Sequence, residues 1–381
     1  MTAGPRTAPF SGRVLGVDFW RGFALLTIFV NHMPGNAFER FTHRNFGFSD
    51  ATEVFVLLAG VAVSMVYLPQ FRAAGAGAGA ASSFRILQRA FQLYMAQIVL
   101  VVLSAAVIAR SVRITGDLRF YEMLNFDILI QDTVEALMGL ATLGLQPSYL
   151  NILPVYIVLL AAAPAMLWLL ARFGRGALLA ASGTVYVGAQ ILWLNLPTFP
   201  SGGWWFLNPF CWQFLFAIGI VIGEAVASGR PILLPPALHA ASYALVGVAA
   251  VWIASGFHPA WNPQWLPRFL WEFDKTYLTM PRLLHALALA YVISLLPLRS
   301  WLARSALANA VVVLGRHSLS IFCLGTILAI IGQMIRTQTD GSVLADAALV
   351  GGGILAQILL AGVLEWHRSR NASSAALRQA R

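Results

Sequence analysis

An all-α bundle of about ten membrane-spanning helices is the fold class this chain predicts, on three observations. Apolar residues make up 59% of the 381 positions and charged residues only 10%, with a mean hydropathy of +0.74. Soluble domains carry about 25% charged residues, so composition excludes an ordinary soluble enzyme. The apolar residues gather into runs of about 20, the length that crosses ~30 Å of hydrocarbon as a helix. Lys and Arg fall between those runs in ones to threes, as in loops that join spans. The formal charge of +10 is thus spread out, which argues against a nucleic-acid surface. We expect one domain, 1–381, embedded in membrane lipid.

The first run, 14–33, reads VLGVDFWRGFALLTIFVNHM and has no small-residue cleavage site after it, so it reads as a retained helix and not a signal peptide. Charge inside a bilayer costs about 2.5–3.5 kcal/mol per residue even on insertion scales, which makes its ionisable groups functional candidates. Asp18 and Arg21 are three apart and expected to pair on one face. Arg21 and His32 share a face about three turns, or ~16 Å, apart. In the second run, 50–68, Asp50 and Glu53 occupy the first turn, where the helix dipole favours carboxylates. His43 precedes them in the same outer loop. A histidine needs a carboxylate to orient its ring before it takes a proton from a hydroxyl, so these four groups form a candidate centre. The bland alternative is that the acids only cap the helix.

The AGAGAGA stretch at 74–80 reads as a flexible linker before the third span, 86–109. Residues 125–144 carry Asp127, Gln131 and Glu135 at four-residue spacing, a polar stripe that predicts an amphipathic outer-face or re-entrant helix instead of a span. Spans follow at 150–171, 177–194, 210–228 and 234–255. The outer loops 195–209 and 256–280 hold Trp204, Trp205, Trp261, Trp265 and Trp271. They fit an interfacial aromatic belt or a platform on which sugar rings stack. In the span 281–298, Pro281 suits a helix start. Arg282 and His285 lie three apart on one face, just after Lys275, the chain's only lysine. Spans at 318–335 and 343–364 complete the bundle, with His317 in a structural role on the inner side. With both termini inside, fifteen of the 25 basic residues are cytoplasmic and nine are outside, the bias expected of this orientation.

The only two cysteines, Cys211 and Cys323, lie far apart in apolar runs, which excludes a disulfide framework or a CxxC metal pair. No HExxH, GxxxxGK[ST] or GxSxG motif occurs, so zinc hydrolysis, P-loop chemistry and a nucleophile elbow lack support, and no metal is expected.

The blocks VDFWRGFALLTIFVNHMP (17–34), FTHRNFGFSDATEVFVLLAG (41–60), LQPSYLNILPVYIVLL (145–160), WWFLNPFCWQFLF (204–216), DKTYLTMPRLLHALALAY (274–291) and GRHSLSIFCLG (315–325) run in order over most of the chain. Together they resemble the OpgC family of membrane acyltransferases. The Arg21–His32 spacing with FVLLAG (55–60) is also similar to the wider acyltransferase-3 class. The His43-to-Asp50 stretch resembles the corresponding region of heparan-glucosaminide acetyltransferase. Asn151 stands where an Asp is expected.

The resemblance implies a multi-pass enzyme of the bacterial inner membrane that takes an acyl group from cytoplasmic acyl-CoA, succinyl-CoA or else acetyl-CoA, and esterifies a periplasmic glucan. Arg21 and His32 match the arginine–histidine pair and His43 the proposed catalytic histidine. His32, His43, Asp50 and Glu53 are then the catalytic candidates. Asp18, Arg21, Lys275, Arg282, His285, Trp204 and Trp205 are the binding candidates, with Arg282 facing a succinyl carboxylate. Two alternatives stand beside this: acetyl transfer to another envelope glycan, and a transporter whose buried charges form a proton or anion path.

Overall fold

The computed structural model describes residues 15–73, 76–230, 232–256, 263, 265–297, 301, 304–339 and 341–379. The described residues form helices joined by loops, with a two-stranded antiparallel ribbon pairing 197–198 with 203–204. The helices are α1 (Leu15–Asn31), α2 (Ala51–Arg72), α3 (Ala76–Thr115), α4 (Arg119–Met123), α5 (Ile128–Gln131), α6 (Thr133–Ala141), α7 (Ile152–Leu192), α8 (Pro209–Ala227), α9 (Pro236–Ala254), α10 (Met280–Ser294), α11 (Ala306–Arg316), α12 (Ser318–Thr337) and α13 (Val343–Gln379). Seven of them, α2, α3, α7, α8, α9, α12 and α13, are long and apolar enough to cross a membrane. This is a multi-pass helical membrane protein.

The pair α2–α8 forms the centre. Gly60 on α2 and Gly219 and Gly223 on α8 let the two backbones touch: a Cβ on Gly60 would overlap the Phe216 carbonyl oxygen, and one on Gly219 that of Leu57. Small residues at a crossing are how helices approach closely in lipid, where apolar surface alone gives no drive to associate. Phe216, Leu215, Trp212 and Ile220 of α8 are fully buried around this contact. Gly174 (φ 84°, ψ −179°) divides α7 into two helices, 152–173 and 175–192. The second runs antiparallel to α8, as Ser182 bonds Gln213 at one level and Asn208 donates to the Leu194 carbonyl at the next.

Three features depart from the sequence-based expectations. Residues 76–80 of the Ala-Gly stretch open α3 and are no linker; alanine is the best helix former, and a 40-residue helix absorbs the ~1 kcal/mol cost of each glycine. Residues 74–75 of that stretch lie outside the described residues. The segment 125–144 is not one helix: the Asp132 side chain accepts the Glu135 backbone N–H and starts α6 afresh, while Asp127 bonds Gln131 in the preceding turn. Helix α11 lies between the predicted spans 281–298 and 318–335, and its eleven residues are too short to cross. It packs closely along α1, where a Cβ on Gly22 would overlap the Val311 carbonyl and one on Gly315 that of Asp18. The same contact overturns the expected Asp18–Arg21 pair. Asp18 faces α11 with Arg316 at 3.7 Å, whereas Arg21 donates to the Leu58 carbonyl of α2 at 3.3 Å.

Candidate functional site

Helix α2 begins with a full capping box: Asp50 accepts from the Thr52 N–H at 2.8 Å, and Glu53 reaches back to the Asp50 N–H at 2.9 Å. Capping does not exhaust these acids. Glu53, fully buried, accepts twice from Arg282, from Nε at 2.9 Å and Nη2 at 2.6 Å. Asp50 takes the Lys275 ammonium at 2.6 Å and Arg282 Nη2 at 3.3 Å. Two cations and two carboxylates, drawn from segments more than 200 residues apart, thus neutralise one another. A buried charge persists only with partners of this kind. Arg282 is held by both acids, so the carboxylate-recognition role expected for it has a competitor already in place.

Lys275 is hung from the central helices. Trp212 Nε1 donates to the Lys275 and Thr276 carbonyls at 3.2 and 3.3 Å, Gln190 to the Tyr277 carbonyl at 2.6 Å, and the Tyr186 hydroxyl to the Leu278 carbonyl at 2.7 Å. Pro281 occupies the first turn of α10, as the sequence predicts, and its helix carries Arg282 and His285 on to α2.

His32 follows the last turn of α1. Its ring lies 4.7 Å from that of Tyr149, and Lys275 and Asp50 are the charged groups that act on it. Its carbonyl accepts from Gln333, and the next residues are pinned to α12 and α13: Arg336 donates to the Pro34 carbonyl at 3.1 Å and pairs with buried Asp346, which takes the Ala37 N–H at 2.8 Å. Tyr149 adopts φ 67°, a left-handed conformation that costs a bulky residue about 1–2 kcal/mol and persists where the surroundings impose it. Burial, then the nearby Glu39 carboxylate, raises its hydroxyl above the ordinary range and keeps it a proton donor.

His43 lies in a short 3-10 turn, and both its ring nitrogens are buried without a hydrogen-bond partner among the described residues. His285 is 1% exposed; its Nδ1 bonds Ser49 Oγ at 2.7 Å, and Phe48 lies 5.6 Å from its ring. Of the candidates, then, His32, His43, Asp50, Glu53, Lys275, Arg282 and His285 gather at one end of the bundle. Ser49, Tyr149, Trp212 and Gln333 belong with them and were missed, although SYL at 148–150 and the Ser before Asp50 sit inside the blocks that carry the resemblance.

Arg21 sits elsewhere. It lines a cavity of about 190 Å3 between α1, α2, α3, α7 and α12, with Arg89, Tyr67, Tyr156, Phe55 and Ser318. The cavity residues Phe55, Ala59, Val63 and Tyr67 follow Glu53 along α2, so the cavity spans about 3–21 Å of helix below the charged cluster. Arg89 bonds Gln92 and Arg21 a carbonyl, leaving guanidinium donors for an anion. The tryptophans divide: Trp204 is 64% exposed on the ribbon and Trp205 only 4%, so Trp205 has no face to offer a sugar. Trp265 is exposed and Trp271 half-buried, while Trp261 lies outside the described residues. His317 pairs with Glu365 beside Arg316, beyond the opposite end of α1. Among the described residues no group of three or more His, Cys, Asp and Glu is placed to hold a metal.

A family model described as OpgC protein matches residues 13–369. No curated protein and no solved structure matches the chain.

Proposed function

The chain belongs to the OpgC family, which points to an acyltransferase acting on glucans, and we propose that it carries an acyl group from cytoplasmic acyl-CoA to a glucan hydroxyl on the far side of the bacterial inner membrane. Ten crossings with both termini inside bring the charged cluster to the periplasmic face. The donor enters from the cytoplasm. Arg21 and Arg89 hold one of its anionic groups in the cavity, and the uncharged arm extends along α2 toward the histidines. His43 or His32 takes the proton of the acceptor hydroxyl or receives the acyl group. Asp50, Glu53, Lys275 and Arg282 fix the geometry of that end. Trp204 is exposed for a sugar face.

The observation that carries this reading is the convergence of three histidines and two ion pairs, from two distant segments, at the end of a bundle with an arginine-lined cavity part-way along it. Family resemblance favours succinyl as the acyl group. The occupied state of Arg282 favours a neutral acyl group, acetyl, as the second reading. Purified protein supplied with succinyl-CoA or acetyl-CoA and a glucan acceptor should release CoA thiol and label the glucan. His43→Ala and His32→Ala should stay folded and lose labelling. Thiol release by neither donor, with substrate moving into vesicles instead, would leave the transporter reading.

A further inference from the structure

Three imidazole nitrogens, His43 Nδ1 and Nε2 and His285 Nε2, are buried with no hydrogen-bond partner among the described residues. The two rings lie within electrostatic reach of each other. Buried polar atoms of native proteins are nearly always bonded, so unpaired ones close together mark where a ligand supplies the missing partners. Gly47 lies against the Nε2 edge of His285: a Cβ there would overlap both Nε2 and Cε1 of the ring, so only glycine admits this close approach.

The other side of His285 fixes its proton. Ser49 Oγ, 1% exposed, makes a single hydrogen bond, to Nδ1 at 2.7 Å. If Nδ1 carried the proton, the serine O–H would find no acceptor among the described residues. The arrangement that satisfies both groups has Ser49 donating to Nδ1, which leaves the ring proton on Nε2.

We propose that His285, held by Ser49 in this tautomer, donates its Nε2–H to the oxyanion formed as the acceptor hydroxyl attacks the acyl thioester, with His43 facing it as the base. The inference rests on the acyl-transfer reading above. The new C–O bond forms at the acyl carbon, whose carbonyl oxygen takes the electron pair and the Nε2–H bond. His43 takes the hydroxyl proton. Collapse breaks the C–S bond, and the departing thiolate recovers that proton. His285 stays neutral throughout and is a catalytic donor; Ser49 is a positioning residue. A neutral imidazole suits this work because it bonds an oxyanion without surrendering its proton.

The test is steady-state turnover of the purified, full-length protein with acyl-CoA and glucan, fold being checked by its thermal transition in detergent. Absence of CoA release by the wild type would overturn the acyl-transfer reading itself, before any variant is compared. With an active wild type, His285→Ala should lower kcat about 10²–10³-fold, the loss typical of an oxyanion donor, with the acyl-CoA KM within threefold. His285→Gln, which keeps an N–H, should recover at least tenfold of that loss. Equal rates for the Ala and Gln variants, or wild-type turnover in either, would overturn the assignment. If neither variant folds, Ser49→Ala decides: a tenfold fall in kcat at unchanged KM, restored by Ser49→Thr, supports it, and wild-type kcat in Ser49→Ala overturns it.

Discussion

Replacing Glu53 by Gln isolates the energetic core of the charged end. The amide keeps the shape and its oxygen still accepts the Asp50 N–H, so the capping box survives, while its NH2 turns toward Arg282 and the charge is lost together with both Arg282 hydrogen bonds. Glu53 is wholly buried and its partner Arg282 13% exposed, whereas the Lys275–Asp50 pair is 24% and 18% exposed. Removing one partner of a buried pair costs about 3–5 kcal/mol because the other charge stays behind unsolvated. Asp50 at 3.3 Å retains part of the compensation for Arg282, so the lower end, about 3 kcal/mol, is expected. Lys275→Met should cost less, nearer 1 kcal/mol, since water reaches that pair. Glu53→Gln combined with Arg282→Met leaves no stranded charge and should be more stable than Glu53→Gln alone, a coupling of about 1–3 kcal/mol. Reversible denaturation in mixed micelles measures these three variants together with Arg282→Met alone, which completes the cycle. A Glu53→Gln protein as stable as Lys275→Met, or strict additivity in the double variant, would refute the reasoning.

Gly60→Val forces α2 from α8 and should cost about 1–3 kcal/mol as an overpacked contact, seen as a lowered thermal transition. Trp205→Ala should lose about 3–5 kcal/mol of stability, while exposed Trp204→Ala leaves stability within about 0.5 kcal/mol and raises only the glucan KM. Arg21→Gln should raise the acyl-CoA KM about tenfold, the loss of one charge-assisted contact worth about 1.4 kcal/mol, with glucan KM unaffected.

Height along a helix was legible in the sequence, because a helix converts residue number into rise. That is why Asp50, Glu53, Arg282 and His285 could be set at one level before any contact was known. Partner choice was not legible. Asp18 meets Arg316 and not Arg21 because two glycines bring α11 against α1, a contact between segments nearly 300 residues apart. Arg282 satisfies Glu53 for a similar reason: height fixes who is available, and crossing angle decides who meets. Ser49 was invisible since a lone serine before a cap carries no pattern, and α11 since its eleven residues fall short of a span. The break at Asp132 shows how one side chain that bonds its own backbone ends a periodicity the composition would continue.

The neutral balance of the charged end has one more consequence. Its formal charges sum to zero, while among the described residues Arg21 and Arg89 bond neutral acceptors, which sets two guanidinium charges part-way along the bundle. Under the proposed acyl-transfer reading, the anionic head of a donor would come to rest there and advance no further. Only a tether long enough to bridge the remaining turns of α2 can present its tip to the imidazoles. The bundle then acts as a ruler, and donors with shortened arms should dock as tightly as full-length ones yet go unspent.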